Sequence, residues 1–159
     1  MEAPTKSEEG VLNLSLANMR ATNGSCLVST VSPATTVLWP DALLFKGDSK
    51  LFRAGDARFD EIAAAWARAK PKRSATFQIP SQALQHGFRI IDAASSVPGC
   101  QQRLALRSPV FDSDFAFVIT DVETTGIAGG DFRISIFQRK GDQWRSVAFG
   151  SARWGHPII

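Results

Sequence analysis

The stretch from Ser108 to Trp154 constrains the fold most, because its apolar residues recur at every second position between glycine-bearing turns. Phe115, Phe117 and Ile119 alternate with Ala116, Val118 and Thr120. After Thr125-Gly126-Ile127-Ala128-Gly129-Gly130-Asp131, the residues Phe132, Ile134 and Ile136 take up the same period. Gly141-Asp142 then turns the chain into Trp144, Ser146 and Ala148. A period of two belongs to a strand, whose successive side chains leave opposite faces, and the Gly/Asp clusters supply the turns. The pattern predicts an antiparallel meander ending in a tryptophan-anchored hairpin, with Phe117 and Trp144 as core residues on adjacent strands.

Upstream the period lengthens. From Asp56 to Lys70, the residues Phe59, Ile62, Ala63, Trp66 and Ala69/Lys70 trace one face of a helix. Asp56 is placed to cap it, Asp60 and Glu61 lie in its first turns, and Pro71 ends it. Arg58, Glu61 and Arg68 then face solvent. Ser7 followed by Glu8 and Glu9 reads as a second helix start, with Leu12, Leu16 and Met19 on one face and Asn23-Gly24 as the stop. A strand through Leu12, Leu14 and Leu16 competes with it. Short strands are expected at Cys26 to Val31, Thr76 to Ile79 and Phe88 to Asp92, with a single turn from Gln82 to His86 closed by Gly87. Arg103 to Arg107 opens the meander, and Ser108-Pro109 interrupts it. Thr35 to Lys50 is the least legible part, a strand and loop or a loop covering the sheet. Helices come first and strands dominate afterwards. This order predicts an α+β class: an antiparallel sheet of about 4–6 strands with a C-terminal meander, covered on one face by N-terminal helices. A length of 159 residues fits a single globular domain over 1–159, with 1–9 as a flexible tail.

Composition narrows the partner. A net charge of +3, with 18 basic residues scattered among 15 acidic ones, lacks the clustered basic face that nucleic acid recruits. No window holds the roughly 18 apolar residues of a membrane span. Met1-Glu2-Ala3-Pro4 leads into polar Thr5 to Gly10 without a signal-peptide core, and a chain trimmed at a cleavage site reads the same way. Two cysteines, Cys26 and Cys100, stand apart without Cys-x-x-Cys spacing or a neighbouring His. Two buried free thiols and one structural disulfide are both compatible with them, and an oxidising compartment selects the bond.

Chemistry-bearing patterns are sparse. The chain has no Gly-x-Ser-x-Gly, His-Glu-x-x-His, Ser-x-x-Lys or Walker sequence, and no cofactor fingerprint. Gly126 to Gly130 lies between strands instead of at a strand-to-helix junction, so a turn or bulge outweighs a phosphate cradle. Lys70-Pro71-Lys72-Arg73 fits a solvated helix C-terminus better than a phosphate patch. His86 and His156 are the two imidazoles, each read as a surface residue. Asp112, Asp114, Asp121, Glu123 and Asp131 gather around the meander, and Asp121 and Glu123 share a face if their strand runs that far. Carboxylate pairs serve acid–base work or hard cations, and they also solubilise sheet edges. The candidate binding residues are therefore Asp121, Glu123, Asp131 and His86, with no catalytic or metal set.

Leu104-Ala105-Leu106-Arg107-Ser108-Pro109-Val110-Phe111, Phe115-Ala116-Phe117-Val118, Gly126 to Gly130 and Gln138-Arg139-Lys140-Gly141-Asp142-Gln143-Trp144-Arg145 carry a resemblance. Together they resemble a family of bacterial exported or lipid-anchored proteins with a C-terminal meander and a Gly-x-Trp hairpin. It covers about a third of the chain closely and a further third loosely. Relatives often place Cys-Gly-x-x-Cys-Gly in the glycine turn, where this chain has Thr125-Gly126-Ile127-Ala128-Gly129, so no local disulfide or metal role carries over. The resemblance implies a periplasmic or secreted location, with cytoplasmic as the alternative, and favours a Cys26–Cys100 bond. The leading functional expectation is a non-enzymatic binding protein for another protein, of the inhibitor or immunity type. The alternatives are a small-molecule-binding cone lined by Phe117, Phe132, Ile134, Phe137, Trp66 and Trp39, and a hydrolase-like enzyme using carboxylates.

Overall fold

The computed structural model describes residues 3–19, 21, 24–34, 39–71, 75–93, 99–126 and 130–153. The expectations placed on Asn23, Lys72, Arg73, Trp154 and His156 lie outside these residues. In chain order come helix α1 (Lys6–Asn18), strands β1 (Ser25–Val28), β2 (Thr30–Val31), β3 (Ala42–Phe45) and β4 (Leu51–Arg53), and helix α2 (Ala57–Arg68). Strand β5 (Phe77–Gln78), a 3₁₀ turn (Ser81–His86) and β6 (Arg89–Ile91) follow. Then come β7 (Gln102–Leu106), β8 (Val110–Asp112), β9 (Phe115–Thr124), β10 (Asp131–Lys140) and β11 (Gln143–Arg153).

The meander stands as expected. β9, β10 and β11 pair antiparallel, and Gly141, at φ 61°, turns the last hairpin in a conformation that favours glycine. The sheet around it is larger and mixed. Nine strands run in the order β4-β3-β11-β10-β9-β7-β1-β6, with β8 also on β9, and β2 and β5 form a separate pair. β1 lies parallel to both β6 and β7, which corrects the expectation of a purely antiparallel sheet of about 4–6 strands. The reason is connectivity. Long excursions separate β1 from both partners, and such crossovers return a strand in the same direction, as a tight turn cannot.

Helices cover both faces, not one. Val11, Leu12 and Leu16 of α1 pack with Leu104, Leu106, Val118, Val122 and Phe137 on one side. Phe59, Ile62 and Ala65 of α2 pack with Phe117, Ile119, Ile134 and Ile136 on the other. The cause is legible in β9, where every residue from Phe115 to Thr120 is buried. Its alternation is between large and smaller apolar groups, so each face offers area worth covering, at roughly 25 cal/mol per Å².

α1 begins with Thr5, not Ser7. The Glu8 backbone N–H donates to Thr5 Oγ1 at 3.2 Å, and the Thr5 N–H donates to Glu8 Oε1 at 2.9 Å, a reciprocal capping box. Residues 6–9 are therefore helical and not tail. α2 keeps the expected stripe: Phe59 and Ile62 are buried, Trp66 is partly buried, and Arg58, Glu61 and Arg68 are exposed. Trp66 stacks on Trp39 with centroids 5.5 Å apart and meets Phe117 edge-on at 5.3 Å. Trp144 departs from expectation. It sits on β11, separated from β9 by β10, and packs partly buried against Phe111 on the α1 side while Phe117 belongs to the α2 side. The register places Trp144 two residues from the facing pair Ser146 and Phe137, so the hairpin tryptophan shares their face.

The cysteines are bonded. Cys26 of β1 and Cys100, just before β7, join with Cα atoms 5.7 Å apart, and among the described residues no cysteine is free. Of the two readings left open by the spacing, the disulfide holds.

Candidate functional site

The candidate carboxylates do not converge. β9 runs to Thr124, so Asp121 and Glu123 do share a face, the α2 side. Each is already engaged. Arg107 Nη2 lies 2.8 Å from Asp121 Oδ2, its Nε donates to Oδ1 at 3.3 Å, and its Nη1 donates to the Pro33 carbonyl at 3.2 Å. Arg103 lies 3.8 Å from Glu123 and also donates to the Ala93 carbonyl. Burial raises the Asp121 pKa above its ordinary value of 3.8, opposed by the Arg107 hydrogen bond and charge. The cluster thus works as a clamp, tying the chain at Pro33 and Ala93 to the sheet through two fork-like guanidiniums. Ser108 adds to it by accepting from the Ala34 N–H at 3.1 Å.

Asp131 faces Val122 across β9–β10, which puts it on the opposite side from Asp121 and Glu123. His86 ends the 3₁₀ turn packed on α1, closed by Gly87 at φ 83°, as the Gln82 to His86 reading required. Among the described residues, no three His, Cys, Asp or Glu side chains gather as a metal site needs. Five of the six residues expected to line an interior pocket (Phe117, Phe132, Ile134, Trp66 and Trp39) belong to the packed α2-side cluster. Phe137 belongs to the other. The glycine turn keeps Gly126 at φ 83°, while 127–129 lie outside the described residues.

The open site is elsewhere. α1 ends at Asn18 and leaves much of its side of β11, β3 and β4 uncovered. Register places Ser135, Phe149, Leu44 and Leu51 in one row across these four strands. Phe149 and Leu51 are 53% and 50% exposed, high values for large apolar side chains in a sheet. Beside that row Arg133 faces Ser151, and Lys46 follows β3. Together with Asn18, Met19 and Ser146 these residues bound a groove of about 600 Å³. Asn18 Nδ2 donates to Ser146 Oγ at 2.9 Å, pinning the end of α1 to β11.

Its electrostatics are one-sided. Among the described residues neither Arg133 nor Lys46 has an ion-pair partner within 4.0 Å. Arg133 is partly buried, beside Ser135, which is 6% exposed. Asp131 shares this face at the start of β10 but is exposed and forms no pair with Arg133. The opposite side of the same strands is filled by Phe45, Phe52 and Phe59. It is also sealed at Gly150, where an added Cβ would lie 2.8 Å from Leu43 Cδ2 and 2.9 Å from Pro40 Cγ.

Sequence reasoning missed this groove. Its one signal was polar Arg133 and Ser135 sharing a face of β10 with Phe137, between the apolar Phe132, Ile134 and Ile136 of the other face. Nothing in the local pattern places Lys46, Leu44 and Leu51 beside them. No protein-family model, curated protein or solved structure matches this chain, so the reading of the site rests on its own geometry.

Proposed function

We propose that this chain is a non-enzymatic, exported binding protein that meets another protein through the half-sheet α1 leaves open, in the manner of an inhibitor or immunity-type protein. The observation that carries the reading is the row Phe149, Leu44 and Leu51, bordered by the cations Lys46 and Arg133, which have no ion-pair partner among the described residues. Exposed contiguous apolar surface rimmed by polar groups is the mark of an interaction face. Export is supported by the Cys26–Cys100 bond, since reducing compartments disfavour structural disulfides. The carboxylate-hydrolase alternative has little to draw on, because guanidiniums engage both Asp121 and Glu123.

A photo-crosslinking residue at position 51 tests the reading in producing cells, with the same residue at Glu61 on the exposed face of α2 as the comparison. A discrete protein adduct at 51 and none at 61 is expected. Adducts at both positions, or at neither, refute the face. A small-molecule reading has one observation in its favour, since about 600 Å³ lies in the range of ligand sites. It predicts that native mass spectrometry of the chain purified from its producing cells shows a retained small ligand and that position 51 yields no protein adduct.

A further inference from the structure

The groove carries more chemistry than an apolar anchor site requires. Arg133 and Ser135 are two apart on β10, so both side chains rise on the groove face, with Ser151 directly opposite Arg133. Residues directly opposite in an antiparallel pair have Cβ atoms about 4.5–5.5 Å apart, close enough for a guanidinium and two hydroxyls to meet one small group. Ser135 is nine-tenths buried and lines the groove, and Arg133 is partly buried with no carboxylate paired to it among the described residues. A partly buried charge is costly without a counter-charge, so an uncompensated guanidinium lining a groove points to an anionic group that completes it. Planar guanidinium plus hydroxyl donors match a carboxylate, whose two oxygens only accept. Lys46 adds a second cation at the groove wall, and Phe149 and Met19 offer apolar floor beside the polar corner.

Resting on the protein-binding reading above, we infer that the groove takes an acidic side chain, Asp or Glu, from an extended segment of the partner protein. That carboxylate seats against Arg133, Ser135 and Lys46, while an adjacent apolar residue of the same segment packs on Phe149. The commitment to a partner segment, over a free acid, follows from continuity. The polar corner opens directly onto the Phe149–Leu44–Leu51 row, whose outer members Phe149 and Leu51 are half exposed and whose Leu44 is partly buried, a surface longer than a small acid can cover.

Panning a random-peptide display library on the intact, oxidised chain tests this. Enriched peptides are expected to share an acidic residue next to an aromatic or aliphatic one. Arg133→Gln and Lys46→Gln, both at side chains without ion pairs, should each weaken the best peptide about tenfold, as loss of one charge-assisted hydrogen bond does. Arg133→Glu should reverse the selection toward basic peptides. Free acetate or inorganic phosphate at millimolar concentration should not displace the peptide. Peptides without an acidic consensus, or binding unchanged by both Gln variants, overturn the assignment, and so does a library that yields no enrichment. Displacement by acetate or phosphate assigns the corner to a free anion and overturns the partner segment. If enriched peptides lack acids yet are lost on Phe149→Ser, the charge assignment fails while the open face survives as the interaction surface. Unfolding midpoints of each variant, matched to wild type, keep loss of binding separate from loss of fold.

Discussion

Reducing the Cys26–Cys100 bond should be the most informative single perturbation of stability. The bond spans a sequence separation of 74 and ties β1 to the start of β7. It lies at a narrow part of the sheet, where β1 holds β6 and β7 by three residue pairs each. Closing a loop of that length removes denatured-state entropy equivalent to about 4.5 kcal/mol at 25 °C, and native bonds commonly deliver 2–4 of this. Cys26 is fully buried with Val28 and Ile91, so reduction leaves two thiols in a packed site and adds little solvation. With a urea slope of about 2 kcal/mol per M, the unfolding midpoint should fall by roughly 1–2 M. The assay is urea denaturation of oxidised chain, phosphine-reduced chain and the Cys26→Ala/Cys100→Ala double variant, followed by tryptophan fluorescence. Reduced and double-variant chains should agree. A midpoint shift below about 0.5 M would show that the bond constrains nothing the rest of the fold does not already hold. A thiol titration of unreduced chain in urea must find no reactive group, and two groups would remove the bond itself.

Gly150→Ala should destabilise by about 1–3 kcal/mol, because its methyl meets Leu43 and Pro40 at 2.8 and 2.9 Å; an unchanged melting temperature refutes that contact. Trp66→Ala should cost about 3 kcal/mol by removing the stack on Trp39 and the edge contact with Phe117, whereas Trp144→Ala, partly buried on the other face, should cost less; chemical denaturation orders the two. Asp121 carries a pH signature. Its folded-state pKa is raised, chiefly by burial, so the native state holds the proton more tightly than the unfolded chain. This group therefore favours folding most below the ordinary value of 3.8 and progressively less as pH rises through the shifted one. Asp121→Asn should erase that component of the acid limb, and superimposable stability–pH profiles would count against it.

Much of the local structure is legible in the residues because it is dictated by short-range physics. The stripe Phe59, Ile62 and Trp66 has helical spacing, and Phe132, Ile134 and Ile136 alternate with the smaller or polar groups of β10, so α2 and the meander declare themselves. Gly87 and Gly141 mark chain reversals for the same reason, since positive φ excludes most other residues. The alternation of Ala116, Val118 and Thr120 with the phenylalanines also announces that β9 is buried on both faces. A reading that takes every period-2 strand as half-solvated misses this.

What only the tertiary structure decided are the relations between distant segments. A strand pattern carries no label for its neighbour or direction, so the parallel seating of β1 between β6 and β7 follows from how the intervening chain packs. The two helices cover opposite faces because each face presented its own apolar area, a sum over strands that no single window contains. Cys26 and Cys100 become bond partners through that same seating. Asp121 and Glu123 find Arg107 and Arg103 because β7 lies beside β9. The groove is the clearest case: Arg133, Ser135, Phe149 and Lys46 come from three strand segments, and they line one groove at the end of α1, beside Asn18. Periodicity assigns a residue to a face, while the length of the element packed on that face determines whether it is core or open surface.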